Sequence, residues 1–256
     1  MQGVQAEGSN HMRFDRQIQM PQIGEQGQQR LAEASVTVIG AGGIGSPALT
    51  YLACAGVGHI RVVDSEAVNE ADLNRQFLYG AGALGKSKAH AACARLGADY
   101  PDLVFEPVAE RITAQEAARL IGRPQVIVDC VDTIEARLAV NAYAMRAGLP
   151  LVEGGVAGFG GFVMAIDSAS PCLECVMPPV KLKERESPVL GAAAGVIGSL
   201  EAIECVKILL GIGRPLYGKM LKYDGLRCRF TLIDLHINER CTQPHTGACD
   251  AAPTRA

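Results

Sequence analysis

The chain has 256 residues, 48% apolar and 20% charged, a composition that excludes disorder and suits one domain built on one core. Lysine and arginine total 24 against 27 acidic residues, so the net charge is −3 and nothing in it attracts nucleic acid or an anionic membrane. Nine cysteines, an odd number lying mostly in apolar runs, fit a reducing, cytoplasmic compartment better than a disulfide framework.

Residues 1–12 carry neither a basic start nor an apolar stretch, which argues against a signal peptide; they read as a disordered segment or a cloning remnant. From Ser35 a short β-branched run (35–40) leads to a helix over 45–56 closed by Gly56, and HIRVVD (59–64) follows as a second strand. The 27-residue uncharged stretch from Ala34 to Ile60 could span a bilayer by length, yet its six glycines and Pro47 divide it into strand, turn and helix. Next come a helix near 87–97, a strand over 104–112, a helix over 113–122 with a capping box of Thr113 and Glu116, and a strand over 125–132. A helix over 133–148 and a strand over 150–156 continue the alternation. Beyond Val156 the runs 161–167, KMLKYD and CRFTLIDLHI read as antiparallel strands around a buried helix over 195–211.

The expected fold class is therefore α/β: a Rossmann-like, doubly wound, mostly parallel sheet extended by antiparallel C-terminal strands. Residues 177–188 mix prolines with a charge run and have the length of a mobile functional loop; the tail 241–256 also lacks structure signals.

Gly40, Gly42, Gly43 and Gly45 form G-x-G-x-x-G between a strand and a helix, where backbone amides and the helix dipole favour a phosphate. Asp64 ends the next strand, placed to accept hydrogen bonds from ribose hydroxyls. Arg75 and Lys88 add fixed cations, which a triphosphate losing pyrophosphate needs and a dinucleotide does not. Asp132 follows a buried strand at the ligand-binding edge of such a sheet; it could hold Mg²⁺ or cap the next helix.

RFDRQI (13–18), PQIGEQGQQRL (21–31), the glycine loop through Asp64, LNRQ (73–76), the G-x-x-K at 85–88, DCVD (129–132), PCLEC (171–175) and the 195–211 helix together resemble the adenylyltransferases ThiF, MoeB and HesA, relatives of ubiquitin-activating enzymes. The resemblance spans about residues 13–240 and defines the expected domain. It implies a homodimer that uses ATP and Mg²⁺ to adenylate the C-terminal glycine carboxylate of a ubiquitin-like sulfur carrier ending in Gly-Gly, with sulfur from an external donor. By the same resemblance Gly40, Gly42, Gly43 and Gly45 are the phosphate loop and Asp64 the ribose ligand. Asn74, Arg75, Gln76 and Lys88 contact nucleotide, Asp132 is the Mg²⁺-associated acid, and Arg16 reaches the ATP of the other subunit. Two further readings are an adenylating enzyme for a peptide or small carboxylate, and a nucleotide-binding scaffold weakened in catalysis.

Three departures stand out. Asp72 replaces the asparagine usual in the family and would repel phosphates unless a cation compensates. Thr133 replaces asparagine after DCVD, and the stretch from Val176 to Ala194 lacks the cysteine that several relatives carry. Cys172 and Cys175 have metal-ligand spacing but make half a zinc site. The family completes it with a second C-x2-C. Here the tail offers Cys241 with Cys249, or Cys241 with His245, for a structural Zn²⁺.

Overall fold

The structure, a computed structural model, describes residues 13–177 and 188–246. The β-branched runs form strands β1 (Ser35–Ile39), β2 (His59–Val63), β3 (Val104–Val108), β4 (Val126–Asp129) and β5 (Leu151–Ala157). The later runs form β6 (Gly160–Ile166), β7 (Lys219–Asp224) and β8 (Arg229–Asp234). They make one eight-stranded sheet in the order β3-β2-β1-β4-β5-β6-β7-β8. Neighbours from β3 to β5 are parallel, and β5 through β8 are antiparallel.

Helices α1 (Asp15–Ile18), α2 (Gly24–Ala32), α3 (Gly45–Ala55), α4 (Lys88–Asp99), α5 (Ala117–Ile121), α6 (Ile134–Ala147), α7 (Leu173–Val176) and α8 (Gly191–Leu210) accompany the sheet. Alternation along the strands sorts the core into two layers. Val36, Val38, Ile60, Val62, Val126 and Val128 pack with α2, α3, α4 and α8. Ile39, Val63, Ile127, Leu151 and Met164 pack on the other side with α5, α6 and α7. Helices on both faces explain why the parallel strands read as nearly continuous apolar runs.

Some boundaries differ from the sequence reading. The expected 113–122 helix shrinks to α5, because Thr113 Oγ1 accepts only from the Glu116 amide while Glu116 turns its carboxylate to Arg119. The box is half made, and the first residues stay a turn. The strand expected over 104–112 ends at Val108, the one over 125–132 ends at Asp129, and α8 begins at Gly191 rather than 195. Gly56 and Gly148 close α3 and α6 in the left-handed conformation, as expected of helix-ending glycines. Of the suspected loop 177–188, residues 178–187 lie outside the described residues. No described helix is long and apolar enough to cross a membrane.

The chain runs from β1 outward to β2 and β3, then returns to the other side of β1 as β4. That reversal opens a crevice beyond the carboxyl ends of β1 and β4, where open α/β sheets bind ligands.

Candidate active site and cysteine cluster

The glycine loop occupies this crevice. Gly40 has φ +91°, and a Cβ there would lie 2.7 Å from the Cys130 carbonyl oxygen, so the turn leaving β1 passes directly beside the turn leaving β4. A Cβ at Gly45 would overlap the Gly40 carbonyl. The loop is pinned from outside: Asp64 Oδ2 accepts from the Ala41 amide at 2.8 Å, and Tyr79 donates its hydroxyl to the Ala41 carbonyl at 2.8 Å. Asp64 Oδ1 accepts from the Glu66 amide, and each carboxylate oxygen keeps a lone pair to spare. Burial raises the Asp64 pKa above the usual carboxylate value; the two backbone amides and Lys88 only partly offset it.

The LNRQ segment closes over the loop. Positions that a Cβ would take at Gly42 and Gly43 lie 3.6 Å from Gln76 Nε2 and 3.4 Å from Arg75 Cδ. Arg75 holds its guanidinium with Nη1 on the Ala71 carbonyl at 2.7 Å and on Asn74 Oδ1 at 3.0 Å. Asn74 itself is exposed. Lys88 begins α4, behind an N-cap from Ser87. Its side chain is only 4% exposed, and Nζ meets Glu66 Oε2 at 2.6 Å and Asp72 Oδ2 at 3.2 Å. Burial pushes the Lys88 pKa down, but Glu66, Asp64 and Asp72 together outweigh it and leave it raised, so the ammonium stays charged.

Asp132 lies exposed just past β4. It is not the cap of α6: Thr133 is, with Oγ1 accepting from the Ala136 amide at 3.4 Å. The family's asparagine at that position and this threonine are both capping residues, so the change leaves the helix start intact and Asp132 free of that duty.

Arg16 does not join the crevice. Helix α1 sits at the far end of α3 and α4: Gln17 donates to the Ala55 carbonyl at 2.9 Å, and Arg13 donates to the Asp99 carbonyl at 2.8 Å. Both helices start beside the glycine loop and run about 16–18 Å away from it.

Five groups near the loop were not singled out by sequence reasoning. Glu66 and Tyr79 needed tertiary contacts to be seen. Arg137 and Glu153 form a buried pair, with Arg137 also donating to the Val131 carbonyl at 2.5 Å and thereby bracing the turn that carries Asp132. Glu153, a lone acid inside an apolar strand, was the available signal. Glu201 on α8 accepts from Cys130 Sγ at 3.1 Å in the same buried cluster.

A second constellation lies beside α7. Cys172, Cys175, Cys241 and His245 place their ligand atoms within 4.8 Å of one another. Cys172 Sγ is 3.9 Å from Cys175 Sγ and 3.5 Å from Cys241 Sγ; His245 Nε2 is 3.4 and 3.3 Å from Cys175 and Cys241. Tetrahedral zinc with ordinary bond lengths requires sulfur–sulfur edges of about 3.8 Å and sulfur–nitrogen edges of about 3.6 Å. Glu174 fastens the tail to this turn by accepting from the Thr242 amide at 2.9 Å and from Gln243 Nε2 at 2.8 Å. Cys249, the first choice for the fourth ligand, lies outside the described residues.

The ThiF family matches residues 14–243. The chain belongs to the ThiF family. A sulfur carrier protein adenylyltransferase from Thermus thermophilus is 38% identical over 254 residues, spanning 95% of this chain and 92% of that one. The adenylyltransferase and sulfurtransferase MOCS3 of Sus scrofa is 37% identical over 249 residues, covering 95% of this chain but 54% of its own length. Among solved structures, Escherichia coli MccB with MccA-N7isoASN superposes with a TM-score of 0.81 at 20% identity, over 90% of this chain and 74% of that one, a likeness of fold. This ThiF-family chain is an adenylyltransferase.

Proposed function

We propose that this chain, through its domain of about residues 13–240, adenylates the C-terminal glycine carboxylate of a ubiquitin-like sulfur carrier. The observation that carries the reading is the convergence of the glycine loop, Arg75, Gln76 and Lys88 at one crevice, together with relatives named as sulfur carrier adenylyltransferases. A carboxylate oxygen of the carrier attacks the α-phosphorus of ATP, the bond to the β-phosphate oxygen breaks, and pyrophosphate leaves with the electron pair. Glycine-loop amides and Asp64 hold the nucleotide, while Arg75, Gln76 and Lys88 neutralise the polyphosphate and hold the reactants in line. The step needs no protein nucleophile or general base.

Asp132, an exposed carboxylate at the crevice, fits Mg²⁺, which binds through one or two carboxylates plus substrate phosphates. Bound there, the ion would supply charge neutralisation at the leaving group. A three-thiolate, one-imidazole set fits Zn²⁺ in a closed structural site.

The adenylate then awaits an external sulfur donor in the cytoplasm. Cys130 lies beside the loop, but burial and Glu201 raise its pKa well above normal, so it is a poor thiolate. Alanine at Arg75, Lys88 or Asp132 is expected to cut carrier-dependent pyrophosphate exchange by about tenfold to a thousandfold, with the melting temperature nearly unchanged for the exposed Asp132 and lowered for the buried, ion-paired Lys88. Near-normal exchange in all three variants would overturn the site assignment.

A further inference from the structure

Asp72 stands where the family usually carries asparagine, and the groups that meet its carboxylate are all donors. Oδ1 accepts from Gln76 Nε2 at 2.8 Å and lies 3.5 Å from Arg75 Nη2. Oδ2 accepts from the Asn69 amide at 2.9 Å and lies 3.2 Å from Lys88 Nζ. The residue is only 6% exposed. An acceptor-only carboxylate satisfies this set; an amide has one oxygen, and its NH₂ would have to face donors on one side or the other.

The consequence reaches the glycine loop. Gln76 is 2% exposed, its Nε2 lies beside Gly42, and its Oε1 has no hydrogen-bond partner among the described residues. By taking one N–H of the Gln76 amide, Asp72 keeps the nitrogen and not the oxygen on the loop side, which leaves the second N–H for an anion there. With an amide at position 72, Gln76 gains by turning over: its orphaned oxygen would meet the new NH₂, and an acceptor would then face the loop. Lys88 would meanwhile keep the amide oxygen but lose the buried one of its two ion-pair partners, leaving Glu66, whose side chain is 63% exposed.

We propose that Asp72 is a positioning residue that holds Gln76, Arg75 and Lys88 with their donors turned toward the polyphosphate of ATP, so that the family's asparagine would weaken nucleotide binding here. The inference rests on reading the glycine loop as the ATP site. Charge alone argues the opposite, since deleting an anion beside phosphates should tighten binding.

Calorimetric titration of the full chain with MgATP and with MgAMP decides between them. Asp72→Asn is expected to weaken MgATP about tenfold, the scale of one charge-assisted hydrogen bond, and to change MgAMP less than about twofold. In a Gln76→Ala background the same substitution should weaken MgATP less than it does alone, because part of its effect passes through Gln76. Unchanged or tighter MgATP binding by Asp72→Asn, or equal weakening of both nucleotides, overturns the positioning role. If Gln76→Ala, Arg75→Ala and Lys88→Ala all bind MgATP normally, the site reading itself fails. Should the melting temperature of Asp72→Asn collapse, Asp72→Ser read in the same way is the second variant.

Discussion

Glu201 shows what burial does to a single residue. It lies on α8 with 0% exposure, faced by Asp129 of β4, Cys130 just past it and Arg137 of α6, with Glu153 of β5 in the same cluster, and Oε1 has no hydrogen-bond partner among the described residues. Burial, and secondarily Asp129, lifts its pKa from 4.5 to about 8 despite Cys130 and Arg137. Below pH 4.5 the folded and unfolded chains both carry the proton. Between 4.5 and 8 only the folded chain keeps it, so this group's contribution to stability is lost as pH rises through that window. The melting temperature of Glu201→Gln should therefore fall less than that of the parent between pH 6 and pH 9; parallel curves would refute the assignment. The lesson recurs at Asp72. As a letter it reads as a misplaced charge, whereas in place it is a paired one.

At the scale of elements, legibility followed local chemistry. Gly56 and Gly148 as closures and β-branched runs as strands are interactions within a few residues, and they appear where the letters put them. The short α7 was missed because its four residues are held by what packs on them, Leu173 through Asn141 and Glu174 through Thr242. The cysteine turn is the clearest case. Spacing identified Cys172 and Cys175, but the partners arrive about 70 residues later, through a fold contact that no spacing encodes. Elemental analysis of protein purified without metal-affinity resin should give about one zinc per chain. His245→Ala and Cys172→Ser should lose it and melt at lower temperature, whereas Cys249→Ser should keep it. Retention by His245→Ala together with loss by Cys249→Ser would reinstate the longer spacing.

For the whole molecule, the anchoring of α1 at the far ends of α3 and α4 bears on assembly. Arg16 cannot serve the crevice of its own chain from there without leaving its helix, which supports the proposal that it serves a second copy. Tyr51 and Phe77 are more than half exposed and flank an apolar cleft with Pro47, Val196 and Leu200, a surface suited to such a copy. Mixing Arg16→Ala protein with a variant disabled at Arg75 should restore part of the pyrophosphate exchange that neither has alone. No recovery after subunit exchange is verified, or a monomer at micromolar concentration, would exclude the shared site.

The amino-acid sequence alone determined the alternation of strands and helices, the glycine loop and the acid following β2, because each depends on side-chain period or on backbone freedom within a short segment. It also located Arg75, Lys88 and Asp132, through motifs whose order is itself sequence information. Only the tertiary structure decided the order and register in which β6, β7 and β8 extend the sheet, that Thr133 rather than Asp132 caps α6, and that His245 closes the cysteine cluster. Those outcomes depend on groups distant in the chain competing for the same donor, acceptor or edge, and that competition is resolved only when the whole core is assembled.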